Sequence, residues 1–196
     1  MVKIALIVPG ATDYDAQKRI QGSLNIPLND LGQQEVSRMA DELAPLHLEM
    51  ICCSDCEPAL ETATLLAERL GVKLKKLDKM QNVCYGLWQG MLVDEVKHRQ
   101  PKVYRQWQDQ PESICPPDGE TLSEARERVQ ACLARLVKKH KQSKETIIGL
   151  VVPEPLASLV RVQLAHGELG DLWKAAAGHA RWGLIPVEPA AVVHTS

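Results

Sequence analysis

Three sets of residues in this chain of 196 amino acids could ligate a metal, exchange a proton or attack an electrophile. Cys53 and Cys56 form a Cys-x-x-Cys pair, with Cys84 and Cys115 further along. Thiolates so placed could hold a metal ion or make a redox pair, but structural zinc usually takes four ligands with a second Cys or His pair at tight spacing. Cys115 alone is a weak fourth, so Cys53, Cys56 and Cys84 read better as inert thiols near a strand end. Asp13, Glu57, Glu120 and Glu154 could together make an acidic cleft for a cation or an amine, against the ordinary rule that carboxylates sit in solvent. Among the six histidines, His47 and His98 have the surroundings of surface residues, and His166 and His179 lie near helix ends.

The elements that must position these groups follow one another as strand, helix, strand. Val2 to Val8 is a nearly continuous apolar run, the kind buried on both faces of a parallel sheet. Asn29 is a plausible N-cap for a helix carrying Leu31, Val36, Met39, Ala40 and Leu43, which Pro45 ends. His47 to Cys53 reads as a second strand. Pro58 to Leu70 reads as a helix with Ala59, Ala63, Leu66, Ala67 and Leu70 inward and Gly71 at its C′ position. Val72 to Leu77 alternates apolar residues with lysines, as an edge strand does. An excursion over residues 80–120 holds two short helical patterns, Val93 to His98 and Val103 to Trp107. Excursions of that length usually cover an active site or meet a partner. Thr121-Leu122-Ser123-Glu124 is a capping box opening the longest helix, with Leu122, Ala125, Val129, Cys132, Leu133 and Leu136 on one face and Lys138, Lys139 and Lys141 favouring its negative end. Ile147 to Val152 is a strong strand, Leu156 to Leu164 a helix behind it, and Trp182 to Val187 an outer strand. The series predicts an α/β protein: a three-layer α/β/α sandwich with a mostly parallel sheet.

Composition bounds the rest. A hydrophobic content of 45% over this length suits one domain, residues 1–196, with residues 80–120 as its inserted cover. A net charge of -2, with Lys and Arg spread along helices, argues against nucleic acid. The apolar run at residues 2–8 is too short for a signal-peptide core followed by a cleavage site, and no run approaches the ~20 residues of a membrane helix. Six cysteines without the density of a disulfide scaffold fit a reducing compartment, so the expectation is a cytoplasmic protein. No cofactor is expected, and a homo-oligomer or a protein partner stays open.

The segments Ile4 to Tyr14 and Arg19 to Gly32 resemble the opening of the histidine phosphatase (phosphoglycerate mutase-like) superfamily. The likeness continues through Cys53 to Gly71, Tyr85 to Gly90, Gly119-Glu120-Thr121-Leu122 and Val151-Val152, about residues 1–165. It implies a phosphoglycerate mutase-like fold and phosphoryl transfer through a phosphohistidine, with cations on the phosphate oxygens and a carboxylic acid protonating the leaving oxygen. The family opening reads Arg-His-Gly-Glu-Thr where this chain has Val8-Pro9-Gly10-Ala11-Thr12. Pro9 therefore takes the nucleophile's place, with its ring nitrogen tied up in an amide, and Val8 takes that of an arginine. The resemblance puts Pro58 at a second phosphate-binding arginine, Asn82 at the acid and Glu154 at the second histidine. At ~4 Å and an effective dielectric of ~20, one charge pair is worth ~4 kcal/mol, so an anion at Glu154 disfavours phosphate by several.

Most surviving motif positions hold loops and caps. Candidate pocket residues are Gly10, Thr12, Asp13, Arg19, Tyr85 and Glu120, with Arg19 and Glu120 placed by the resemblance near the pocket mouth. None of the histidines falls on a motif position. The expectation is a catalytically inactive member, a pseudo-phosphatase kept as a binding or structural module, without phosphate binding. The alternatives are an active enzyme with altered metal- or thiol-dependent chemistry, or a residual phosphatase or mutase acting on phosphomonoesters.

Overall fold

A computed structural model describes residues 1–140, 145–166 and 168–187; Lys141 and the expected domain end at 196 lie outside the described residues. Five strands, β1 (Val2–Val8), β2 (Met50–Ser54), β3 (Lys73–Leu77), β4 (Thr146–Val151) and β5 (Arg181–Val187), form one sheet in the order β3-β2-β4-β1-β5. The first four run parallel and β5 runs antiparallel to β1. Side chains alternate across a strand, and β1 has a buried layer on each side. Ile4, Leu6 and Val8 enter one apolar cluster, and Ala5 and Ile7 enter the other.

Eight α-helices among the described residues accompany the sheet: α1 (Asp13–Gln17), α2 (Asp30–Leu43), α3 (Ala59–Leu70), α4 (Val93–Arg99), α5 (Pro101–Asp109), α6 (Leu122–His140), α7 (Leu156–Ala165) and α8 (Leu172–Ala176). The stripe Val36, Met39, Ala40, Leu43 of α2 and Ala59, Ala63, Leu66 of α3 closes the Ala5/Ile7 side. Leu122, Ala125, Val129 and Leu133 of α6, with Leu156, Leu159 and Val160 of α7, close the other. The three layers and mostly parallel sheet are those expected of the α/β class.

Local signals behave as their chemistry requires. Asn29 Oδ1 accepts from Gly32 N at 2.9 Å and caps α2. Thr121 Oγ1 accepts from Glu124 N at 3.2 Å while Glu124 Oε2 accepts from Thr121 N at 2.8 Å, the reciprocal bonds of a capping box. Gly71 ends α3 at φ +66°, and β3 lies at the sheet edge. The second strand begins at Met50 rather than His47, because the chain first makes a 3-10 turn over Ala44–Leu46 and passes His47 at φ 50°. The short helices α1 and α8 were not expected from periodicity: five residues each are too few to show one. No helix among the described residues is long and apolar enough to cross a membrane.

Candidate functional site

In open α/β sheets ligands collect beyond the carboxyl ends of the parallel strands. Here a cavity of about 460 Å³ opens there, a size usual for small-molecule sites. Val8, Pro9, Pro58, Asn82 and Glu154, drawn from four separate segments, all line it. The excursion over residues 80–120 adds Tyr85, Val93, Asp94, Tyr104 and Gln108 to its wall.

Of the other expected pocket residues, Gly10, Arg19 and Tyr85 line the cavity. Gly10 is there for space: a Cβ on it would fall 2.6 Å from the Gly32 carbonyl oxygen, so the strand end can rest on α2 only without a side chain. Arg19 is fixed by its Nε on Gln17 Oε1 at 2.7 Å and its Nη1 on the Gly90 carbonyl at 2.6 Å. Burial pushes the Tyr85 hydroxyl well above its ordinary range, so it stays protonated.

Three expected pocket residues lie elsewhere. Thr12 is buried and caps α1, exchanging bonds with Asp15. Asp13 Oδ1 accepts from Asn29 Nδ2 at 3.3 Å. Glu120 pairs with Arg128 at 2.6 Å and accepts from Cys84 N at 2.9 Å. Glu57 borders a separate groove with Leu28 and Glu61. Of Asp13, Glu57, Glu120 and Glu154 only the last lines the cavity, so the acidic cleft does not assemble.

Glu154 also corrects the electrostatic expectation. Its side chain is 3% exposed, and its Oε2 accepts from Ser158 N at 3.0 Å and Ser158 Oγ at 2.7 Å, holding the start of α7. Its Oε1 pairs with Arg181 Nη2 at 2.7 Å and stands 3.9 Å from Arg161. Arg181 is the β5 residue directly opposite Val8. The carboxylate is thus paired with a cation that the sheet register brings in, and it does not stand as a bare charge in the cavity.

The thiols do not support a metal or redox centre. Cys53, Cys56 and Cys84 are absent from the cavity lining. Burial pushes Cys53 up to about 12 and Cys56 up to about 11, which keeps both protonated and poor as ligands or nucleophiles. Among the described residues no group of three His, Cys, Asp or Glu could hold a metal ion.

Sequence reasoning missed Lys18, Lys174 and His179, all of which line the cavity. Lys18 stands just before the Arg19 to Gly32 segment, and Lys174 and His179 belong to no motif. Their place follows from α8 and the turn into β5, where Ala180 N donates to the Pro9 carbonyl at 2.6 Å. Tyr104 and Trp173 form a stacked wall, with ring centroids 5.2 Å apart at 12°.

The sequence pattern described as "Histidine phosphatase superfamily (branch 1)" matches residues 4–188. Phosphoserine phosphatase 1 of Hydrogenobacter thermophilus is 27% identical over 188 residues, covering 96% of this chain and 88% of that protein. A glucosyl-3-phosphoglycerate phosphatase of Mycolicibacterium vanbaalenii is 33% identical over 107 residues, 55% of this chain and 48% of that one. A solved mycobacterial glucosyl-3-phosphoglycerate phosphatase in complex with VO3 superposes with a TM-score of 0.82 at 23% identity, over 93% of this chain and 90% of that one, and shows the same fold. The expectation of a non-enzyme, a pseudo-phosphatase, is corrected here. A relative that matches nearly the whole chain and another that matches about half of it are named as phosphatases and point to an enzyme.

Proposed function

The chain belongs to the histidine phosphatase superfamily (branch 1), and on that footing we propose that it is an enzyme acting on phosphate monoesters in the cavity beyond β1 and β4. The observation that carries this reading is that the cavity stays open and that Lys18 and Arg19 line it at positions other than the lost family arginines, while Lys174, also in the wall, pairs with Asp171 at 3.8 Å and Asp15 and Asp94 complete the charged lining. Phosphoryl transfer is served mainly by positioning and by positive charge on the non-bridging oxygens. Lys18 has no carboxylate within ion-pair distance among the described residues, and Arg19 retains its Nη2 after anchoring itself through Nε and Nη1. Each cation about 4 Å from a phosphate oxygen is worth between ~1 and ~4 kcal/mol as the site passes from wet to partly dry.

Two features shape the chemistry. Pro9 offers no lone pair, so the attacking group comes from another residue or from water. Asn82 donates its Nδ2 to the Gly22 carbonyl at 2.8 Å and the Glu154 carbonyl at 3.1 Å, and as an amide it supplies no acid. Substrates whose leaving oxygen departs without help, such as aryl phosphates, are favoured over alkyl ones, since general acid catalysis is worth ~10²–10⁴ in rate. The free thiols fit a cytoplasmic setting.

The test is phosphate release by the purified protein from phosphoserine, phosphoglycerates and a generic aryl phosphate, with and without a chelator. Chelator-resistant turnover, fastest on the aryl ester and inhibited by orthovanadate, is expected. Replacing Arg19 with Ala should raise KM. Release at the background rate from every ester would refute the reading.

A further inference from the structure

We infer that His179, oriented by Glu35, is the nucleophile of this cavity and attacks phosphorus in place of the histidine that Pro9 cannot supply. The inference rests on the phosphomonoester reading above and assigns its missing group.

The geometry comes from three contacts. His179 lines the cavity together with Pro9 and Gly10, and the backbone N–H of the next residue donates to the Pro9 carbonyl at 2.6 Å. The imidazole therefore comes from the turn that rides on the end of β1, beside the place the family histidine would occupy. Its Nδ1 is 2.9 Å from Glu35 Oε2, and that same oxygen accepts from Ala11 N at 3.0 Å. Glu35 is only 10% exposed and stands on α2, so it ties the ring to the backbone just past Pro9.

The protonation follows from the partner. An ionised carboxylate only accepts hydrogen bonds, so in the neutral ring Nδ1 carries the proton and Nε2 is the nitrogen with the lone pair. A histidine whose Nδ1–H is held by a carboxylate is fixed in tautomer and orientation, and its far nitrogen is the one offered to a ligand. At 30% side-chain exposure the ring can be reached from the cavity. The other histidines described here are used or placed elsewhere. His140 pairs with Glu49 and His98 meets the Asp94 carbonyl, while His47 and His166 hold left-handed turns.

The step balances without an outside reagent other than water. Nε2 forms a bond to phosphorus as the ester P–O bond breaks, and the bonding pair leaves on the ester oxygen, which takes a proton from water. The ring, now cationic, is countered by Glu35. The hydroxide left by that proton transfer then attacks phosphorus, the N–P bond breaks, and free imidazole and inorganic phosphate return.

The experiment uses the full chain and an aryl phosphate, quenched during turnover, digested and mapped by mass spectrometry for an acid-labile, alkali-stable phosphoryl group. Phosphorylation of His179 is expected. His179→Asn should lose the label and at least about 100-fold in turnover with an unchanged melting temperature. Glu35→Gln, a change at a positioning residue, should lower kcat by about 10–100-fold and leave KM alone, which a merely structural loss would not do. A label on another residue, or His179→Asn turning over at the wild-type rate, overturns the assignment while the phosphomonoester reading survives. Absence of turnover on any ester overturns both. The mapping of the unaltered protein does not depend on any variant folding.

Discussion

Replacing Arg181 with Met leaves the Glu154 carboxylate, 3% exposed, without its nearest cation. At 2.7 Å and an effective dielectric of ~20 the pair attracts by ~6 kcal/mol. That gross figure is reduced twice. The Arg181 side chain is 39% exposed, so water screens part of the attraction, and Arg161, at 3.9 Å, remains to take over a share of it. The two Ser158 bonds also persist and keep the anion from being wholly orphaned. The net loss expected is ~2–3 kcal/mol, at the low end for breaking one side of a buried pair. In a chain of this size that lowers the melting temperature by roughly 5–10 °C. Urea unfolding measures it as a fall in midpoint at unchanged slope. Glu154→Gln in the Arg181→Met background should recover more than half of the loss, since the anion is then gone. If Arg181→Met lies within ~0.5 kcal/mol of the wild type, or the double variant is no better than the single, Glu154 is not a buried charge that depends on Arg181.

Three further outcomes follow from particular contacts. Gly32→Ala would put a Cβ 2.1 Å from the Ala11 carbonyl oxygen, a backbone atom that cannot swing away, so a loss of more than ~3 kcal/mol is expected in thermal unfolding. Thr121→Ala removes one half of the α6 capping box and should cost ~1 kcal/mol, with Glu124→Ala adding little to it because the two bonds form one unit. The thiols set an alkaline limit: burial raises Cys52, Cys53 and Cys56 from the ordinary thiol value of 9.0 to about 11, 12 and 11. The unfolded thiols ionise first, so their contribution to stability is complete below pH 9 and is lost as pH rises towards 12, by on the order of 1 kcal/mol per thiol and pH unit. Denaturation midpoints at pH 7, 9 and 10 check this, and alkylation at pH 8 should mark Cys84 and Cys115 ahead of those three.

The strands and long helices were legible because each carries its own evidence. Val2–Val8 is apolar on both faces, the α2 and α3 stripes repeat at helical spacing, and Asn29, Gly71 and Thr121 mark ends through bonds made within a few residues. The short α1 and α8 gave no such signal, and the start of β2 shifted by three residues because a 3-10 turn intervened. The outline of the site was legible too: Pro9, Pro58, Asn82 and Glu154 do meet around one cavity.

What the sequence determined by itself was therefore the layered fold and the chemistry that Pro9 and Asn82 exclude, since side-chain type and local periodicity need no third dimension. What only the tertiary structure decided was which charges and which histidine stand there. Arg181 neutralises Glu154 because β5 pairs antiparallel with β1 and sets it opposite Val8. His179 reaches the cavity because the turn before β5 is tied to the Pro9 carbonyl and its ring to Glu35 on α2. Those partners are separated by up to 173 positions along the chain, and Coulomb attraction and hydrogen bonding depend on distance in space, which no motif of adjacent residues records.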